Sequence, residues 1–263
     1  MTCRLDIGSR VFAVDIDRPI DISIPLIFNG RGPNAFGLPR AVAVVAEGGG
    51  FVGDTRRGGS CNCETVTLNP HGAGTHTECV GHISHQRLAI RDLLREVLVP
   101  ALLVSVPLRD GAEGRAIERN DLAAAIDRFR DLSDDFLCAL IIRTLPNDRA
   151  KRETDYSGAR PPYPSSETIG LVRDLGVRHL LLDLPSADRE DDPYLTNHRI
   201  FWSMTEGDMH ADAMGRTITE MIFVDDAVDD GPWILDLQIP PFMLDAAPSR
   251  PILFALREEK ERQ

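Results

Sequence analysis

Apolar positions along this chain fall mostly in short runs rich in Val, Ile and Leu, separated by polar or Gly/Pro-rich breaks, the pattern of β-strands alternating with a few helices. The runs predict strands at Ile20–Leu26, Ala41–Ala46, Glu64–Leu68, Leu98–Val106, Phe136–Arg143, His179–Leu184, Thr217–Val224, Trp233–Ile239 and Ile252–Leu256. Helical spacing is clear in two places. Leu122, Ala125, Ile126 and Phe129 make one apolar stripe that Asn120 or Asp121 can cap. Ser165 or Ser166 can cap a second helix, with Gly176 as its left-handed terminus. A weaker pattern at Ile90–Val97 allows a third. Stretches at Asn29–Pro39, Gly48–Gly59 and Gly158–Pro164 read as loops. Strands outnumber helices and many are short, so a regular doubly wound sheet is not expected. The 263 residues, without a low-complexity linker or internal repeat, are read as one α/β domain spanning 1–263.

Charge narrows the partners. A formal net charge of -12 disfavours nucleic acid and anionic membranes. No apolar run approaches the roughly 20 residues of a membrane span, and the opening MTCRLDIGSRVFAVDIDRP lacks the basic-then-apolar order of a secretory leader. The 5 cysteines, an odd number in a long chain, argue against a disulfide framework. A cytoplasmic protein is expected. No Gly-x-Gly-x-x-Gly follows a strand, so a nucleotide cofactor is not indicated.

Chemistry concentrates in His71-Gly-Ala-Gly-Thr-His76-Thr-Glu78-Cys-Val-Gly-His82, which holds three of the chain's 7 histidines, one carboxylate and three glycines. Imidazole and carboxylate suit a borderline divalent ion, zinc or manganese. Glycine disfavours a helix here by about 1 kcal/mol per residue, so the run is read as extended. In an extended chain His76, Glu78, Val80 and His82 share a face. His76 and Glu78 then form a ligand pair, while His82 lies about 13 Å beyond Glu78 unless Gly81 bends the chain back. His71 has the opposite parity and joins only if Gly72–Gly74 forms a bulge or turn. A core strand with satisfied imidazoles is the bland alternative.

The segment Gly74-Thr-His76-Thr-Glu78 followed by His82 resembles the Gly-Thr-His-x-Asp…His signature of the cyclase-like metal-dependent hydrolases, which include bacterial kynurenine formamidase and isatin hydrolase. Further similarity lies in Asp21-Ile-Ser-Ile-Pro25-Leu, Ile142-Arg-Thr144, Asp183-Leu-Pro-Ser-Ala-Asp188, Asn197-His-Arg199, Ile218-Thr-Glu220-Met and Asp245-Ala-Ala-Pro-Ser-Arg250, in order along nearly the whole chain. The resemblance implies a swivelling β/β/α fold with mixed sheets, a homodimer or homotetramer, and one or two Zn or Mn ions per subunit. It implies that His76, Glu78, His198 and Glu220 are metal ligands, with His71 conditional on the turn, and that His82 is the catalytic acid/base. Glu78 takes the place of the bridging carboxylate. The implied reaction is hydrolysis of a small amide, arylformamidase-like as in tryptophan catabolism, or opening of an isatin-type lactam or a lactone. A non-catalytic metal- or ligand-binding protein on the same scaffold is the rival from another class.

Three positions depart from the signature: its first histidine falls at position 72, a glycine here; Glu78 replaces aspartate; Val80 replaces proline. They point to a distinct subfamily. Outside the run, His198 reads alone as a solvent-facing loop residue and Glu220 as a carboxylate on an apolar-looking strand face. Cys61-Asn-Cys63 lacks the second pair of a structural zinc site, and Cys79 reads as a packing residue. Arg143 and Arg250 are open between substrate anchors and ion pairs, and Phe28, Phe201 and Trp202 between an aromatic pocket and core.

Overall fold

The computed structural model describes residues 1–204 and 211–259. Its centre is a mixed sheet of 11 strands. From one edge the order is Thr2–Ile7, Arg10–Asp15, Ile252–Glu258, Gly231–Asp236, Leu98–Pro107, Ala139–Leu145, His179–Leu182, Thr217–Glu220, His76–Cys79 and Ala246–Pro248, with Ile20–Asp21 beside Ile252–Glu258. The four strands from Leu98–Pro107 to Thr217–Glu220 run parallel; His76–Cys79 is antiparallel to both of its neighbours.

The central strands are buried on both faces, which is why they read as continuous apolar runs. Leu102, Val104, Leu140, Ile142, Leu180 and Leu182 face the helices Arg119–Asp127 and Ser166–Asp174. Val99, Ala101, Leu103, Ala139, Ile141 and Leu181 pack on the other side with Ile222, Leu235 and Leu253.

Local expectations hold with instructive exceptions. Ser165 caps its helix by accepting the Thr168 N–H, and Gly176 ends it at φ 75°. The other helix starts earlier than expected, from Glu118 without a side-chain cap, so Asn120 and Asp121 lie inside it, and Asp121 is held bidentately by Arg109 at 2.8 and 2.7 Å. The 90–97 pattern shrinks to one turn, Ile90–Leu93, since Leu94 turns extended. Phe136 lies in a 3-10 turn ahead of its strand. The strand from Thr217 stops at Glu220, where Met221 takes a positive φ of 54°. Several elements were not anticipated from the pattern, four of them in or beside the main sheet. Thr2–Ile7 and Arg10–Asp15 form a hairpin through Gly8-Ser9, the short helix Thr196–Phe201 follows an acidic loop, and Ala246–Pro248 forms the final edge. Strands Val42–Val45 and Glu64–Thr67 pair only with each other, apart from the main sheet.

Candidate metal centre

The histidine and carboxylate run is built into the sheet rather than laid over it. Strand His76–Cys79 is buried throughout and pairs with Thr217–Glu220 in a register that sets Glu220 opposite His76. Thr77 Oγ1 and Thr219 Oγ1 share a hydrogen bond of 2.8 Å across this ladder. Thr75 donates its hydroxyl to the Met221 carbonyl and accepts the Ile24 N–H at 2.7 Å. Register alone therefore delivers one carboxylate, Glu220, to one imidazole, with His76 Nε2 at 3.3 Å from Glu220 Oε2.

The flanks turn inward at both ends. Before the strand, Asn69 caps the 3-10 turn Pro70–Gly72 by accepting the His71 N–H, and Gly74 follows at φ 131°. This is the backbone reversal that parity demanded for His71, whose Nδ1 reaches 3.0 Å from Glu78 Oε2. A side chain one place later would be crowded. A Cβ at Gly72 would meet Leu38 Cδ1 at 2.9 Å and Leu38 Cβ at 3.0 Å. After the strand, the turn Val80–His82 folds the chain back, so that His82 Nε2 is 3.9 Å from Glu78 Oε2, far closer than a straight strand allows. Val80 does not share the imidazole face; it packs in the core with Leu102 and Ile218.

Two further residues arrive from the C-terminal half. His198 lies on the helix Thr196–Phe201, 2 % exposed, with Nε2 at 2.8 Å from Glu78 Oε1 and 3.7 Å from Glu220 Oε1. Glu220 is buried as well, and its Oε1 accepts the Ala187 N–H at 2.8 Å. The bland reading of His198 as a solvent-facing loop histidine does not hold, and Glu220 does lie on a buried strand face. His71, His76, Glu78, His82, His198 and Glu220 thus all converge, with Glu78 at the middle.

Comparison with known proteins decides the family. The family model named Cyclase, described as "Putative cyclase", matches residues 14–189. The chain belongs to the cyclase family. Solved structures with the same fold include a potential metal-dependent hydrolase with cyclase activity, at 16% identity, TM-score 0.63, covering 90% of this chain and 97% of that one. Isatin hydrolase A from Labrenzia aggregata matches at 14% identity and TM-score 0.60, covering 90% and 93%. An isatin hydrolase bound to the product analogue thioisatinate matches at 12% identity and TM-score 0.60, covering 91% and 93%. Comparison with curated proteins gives no match.

Within this cyclase-family chain the donor set fits a divalent cation by a direct test. His76 Nε2, both carboxylate oxygens of Glu78 and His198 Nε2 are buried and make no well-formed hydrogen bond, lying instead against one another and against His71 and Glu220. Leaving such atoms unsatisfied is costly unless a cation meets them. The opposite ring nitrogens are already engaged: His76 Nδ1 with the Gly74 carbonyl at 2.9 Å, and His198 Nδ1 with Asp188. An N–H directed that way leaves the Nε2 lone pair for an ion. His71, His76 and Glu78 place donor atoms within 4.8 Å of one another, as do Glu78, His82 and His198.

Without an ion, protons compensate the charge. Burial works against charge on His71, but the hydrogen bond to Asp245 and the closeness of Glu78 outweigh it, pushing its pKa up to about 10. Burial also lowers the pKa of His198, yet Glu78 and Asp188 together hold it well above the ordinary value. Glu78 is held far below the carboxylate range, burial notwithstanding, by the imidazoles of His82 and His198. Ions and protons therefore compete for the same nitrogens. The stability contributed by protonated His71 is complete below its ordinary value of 6.5 and is lost as pH rises through about 10. The melting temperature of metal-stripped protein should accordingly fall by several degrees between pH 7 and pH 10, and that of zinc-loaded protein should not. Calorimetry on both forms tests this, and a flat profile for the stripped form contradicts it.

Two site residues escaped the sequence reading. Asp245 Oδ2 lies 2.9 Å from His71 Nε2 and 3.2 Å from His82 Nδ1, and Asp188 holds His198. Each ended or began a segment similar to the family, but nothing local marks an aspartate as the partner of an imidazole distant in the chain. The remaining candidates are structural. Arg143 is buried against Asp230, Ser105 and two carbonyls, and Arg250 pairs with Asp21. Phe201 and Trp202 are core, and Phe28 is half-buried. All five cysteines are free; burial pushes the Cys79 thiol up to about 12, so it is a packing residue. No helix among the described residues is long and apolar enough to cross a membrane.

Proposed function

We propose that this chain is a metal-dependent hydrolase of a small amide or cyclic amide, in which His71, His76, Glu78, His198 and Glu220 hold one or two zinc or manganese ions and His82 is the general acid/base. The observation that carries the reading is the convergence on one point of buried donor atoms of His76, Glu78 and His198 that make no well-formed hydrogen bond. A divalent ion held there would acidify water and polarise a carbonyl oxygen.

The protein's own part follows from the geometry. With Nδ1 toward Asp245, His82 keeps Nε2 facing Glu78 and the cleft. That nitrogen takes a proton from attacking water and returns it to the leaving nitrogen as the C–N bond breaks. The cleft over Glu78 has a volume of about 310 Å³, and Phe36, Leu38 and Leu195 are among its lining residues. Such a space suits a small, partly apolar substrate. An N-formyl aryl amine is the first candidate; an isatin-like lactam or a lactone is the second, supported by the fold shared with isatin hydrolases.

Elemental analysis of untagged protein should find zinc or manganese, or restore it after dialysis. A panel of N-formyl aryl amines, isatin and lactones should then contain a substrate, with His82→Ala lowering kcat by about 10²–10⁴-fold at unchanged metal content. Failure to take up any ion defeats the reading; undiminished turnover by His82→Ala removes His82 as the base.

A further inference from the structure

We infer that Asp245 is a positioning residue that sets the tautomers of a metal ligand, His71, and of the acid/base, His82, with a single carboxylate oxygen. The inference rests on the metal-dependent reading above. It goes beyond it by coupling two roles that the reading treats as separate.

The four imidazoles of the site are held in two different ways. His76 and His198 each have a private partner at Nδ1, the Gly74 carbonyl and Asp188. His71 and His82 share one. Asp245 Oδ2 lies 2.9 Å from His71 Nε2 and 3.2 Å from His82 Nδ1, and the two rings stack with centroids 4.2 Å apart at 28°. An ionised carboxylate only accepts, so both nitrogens facing it carry hydrogen. With an ion in place of the compensating proton each imidazole is neutral and has one N–H, so the other nitrogen of each ring is left with its lone pair. Those nitrogens, His71 Nδ1 and His82 Nε2, both face Glu78 Oε2, at 3.0 and 3.9 Å. One oxygen thus aims a ligand and a base at the same point.

The backbone makes this arrangement rigid. Ala246–Pro248 adds to the motif strand with Ala246 opposite Glu78, the Asp245 carbonyl accepts the Cys79 N–H at 3.0 Å, and Leu244 accepts the Ile90 N–H at 2.8 Å. The Asp245 Cβ would lie 3.3 Å from a Cβ at Gly81, so the turn bearing His82 packs against it directly. His71, one place before the position of the signature's first histidine, stacks on His82 and reaches the shared oxygen.

The test uses the full chain loaded with zinc, with Asp245→Asn and Asp245→Ala as two independent variants. Zinc affinity by chelator competition should fall about 10–100-fold in each, the usual loss when the partner of a ligating imidazole is removed. In a His71→Asn background the same substitutions should change zinc affinity by less than about twofold. In ¹⁵N-histidine spectra, His82 should be the Nδ1–H tautomer in wild type and should move toward Nε2–H in Asp245→Ala. Zinc losses that add fully to His71→Asn, or an unmoved His82 tautomer, overturn the inference while leaving the hydrolase reading intact. Wild-type protein that binds no zinc or manganese overturns both.

Discussion

Replacing Glu78 with glutamine is expected to abolish metal retention and to cost turnover at least about a hundredfold, the upper end of the loss from removing even an outer partner of a ligand. Glu78 is the carboxylate that three imidazoles of the cluster approach. Its oxygens stand 3.0 Å from His71 Nδ1, 2.8 Å from His198 Nε2 and 3.9 Å from His82 Nε2. Glutamine keeps the shape, removes the charge and presents N–H groups to some of these nitrogens. In the metal-stripped protein the change also leaves His71 and His198 without their shared counter-charge. Breaking a buried pair in this way costs about 3–5 kcal/mol. Melting temperature and metal content after dialysis against zinc read the two effects separately. Glu78→Asp is informative beside it: retracting the carboxylate by about 1.5 Å should weaken zinc binding, because His71 arrives through a turn matched to the longer side chain. Wild-type affinity in Glu78→Gln would remove Glu78 from the ligand set.

The second large effect is expected from a single methyl group. In Gly81→Ala the new Cβ would lie 2.2 Å from the Leu88 carbonyl oxygen and 3.1 Å from its carbon, both backbone atoms that cannot rotate away. Overpacking of this kind costs about 1–3 kcal/mol, and about 1 kcal/mol shifts the melting temperature by about 2–4 °C in a chain of this size. Relief by opening the Val80–His82 turn would swing His82 off Asp245. Turnover should therefore fall together with stability, while zinc affinity, carried chiefly by residues outside that turn, should change much less. A variant that melts within a degree of wild type and keeps its kcat would show that the close approach at Gly81 is readily relieved.

Much of the scaffold was legible because its central strands are buried on both faces. Leu98–Pro107, Ala139–Leu145 and His179–Leu182 declare themselves as unbroken apolar runs. The N-terminal hairpin was overlooked although Gly8-Ser9 between two alternating segments signals such a turn. Helix Thr196–Phe201 gave no such signal. It is short, and its first N–H groups are met from outside the helix: Asp192 accepts from Thr196 at 3.0 Å, and Asp188 from Asn197 at 2.6 Å and His198 at 3.2 Å. At the site, the parity of His76 and Glu78 was readable in an extended strand. The demand for a turn at Gly72–Gly74 was readable too, since His71 had the wrong parity without one.

The amino-acid sequence by itself determined that an imidazole and carboxylate cluster exists, that glycines surround it, and that its strand is extended. Those are consequences of residue type and of the two-residue period of a strand. Similarity to the family named His198 and Glu220 as its distant members; only the tertiary structure showed how they arrive and added Asp245 and Asp188. Glu220 stands opposite His76 because of sheet register, Asp245 reaches His71 and His82 because Ala246–Pro248 adds to the same strand, and Asp188 fixes His198 across an irregular loop. Partners brought together by register leave no spacing in the chain, because the hydrogen-bonded ladder pairs them without regard to their separation in sequence.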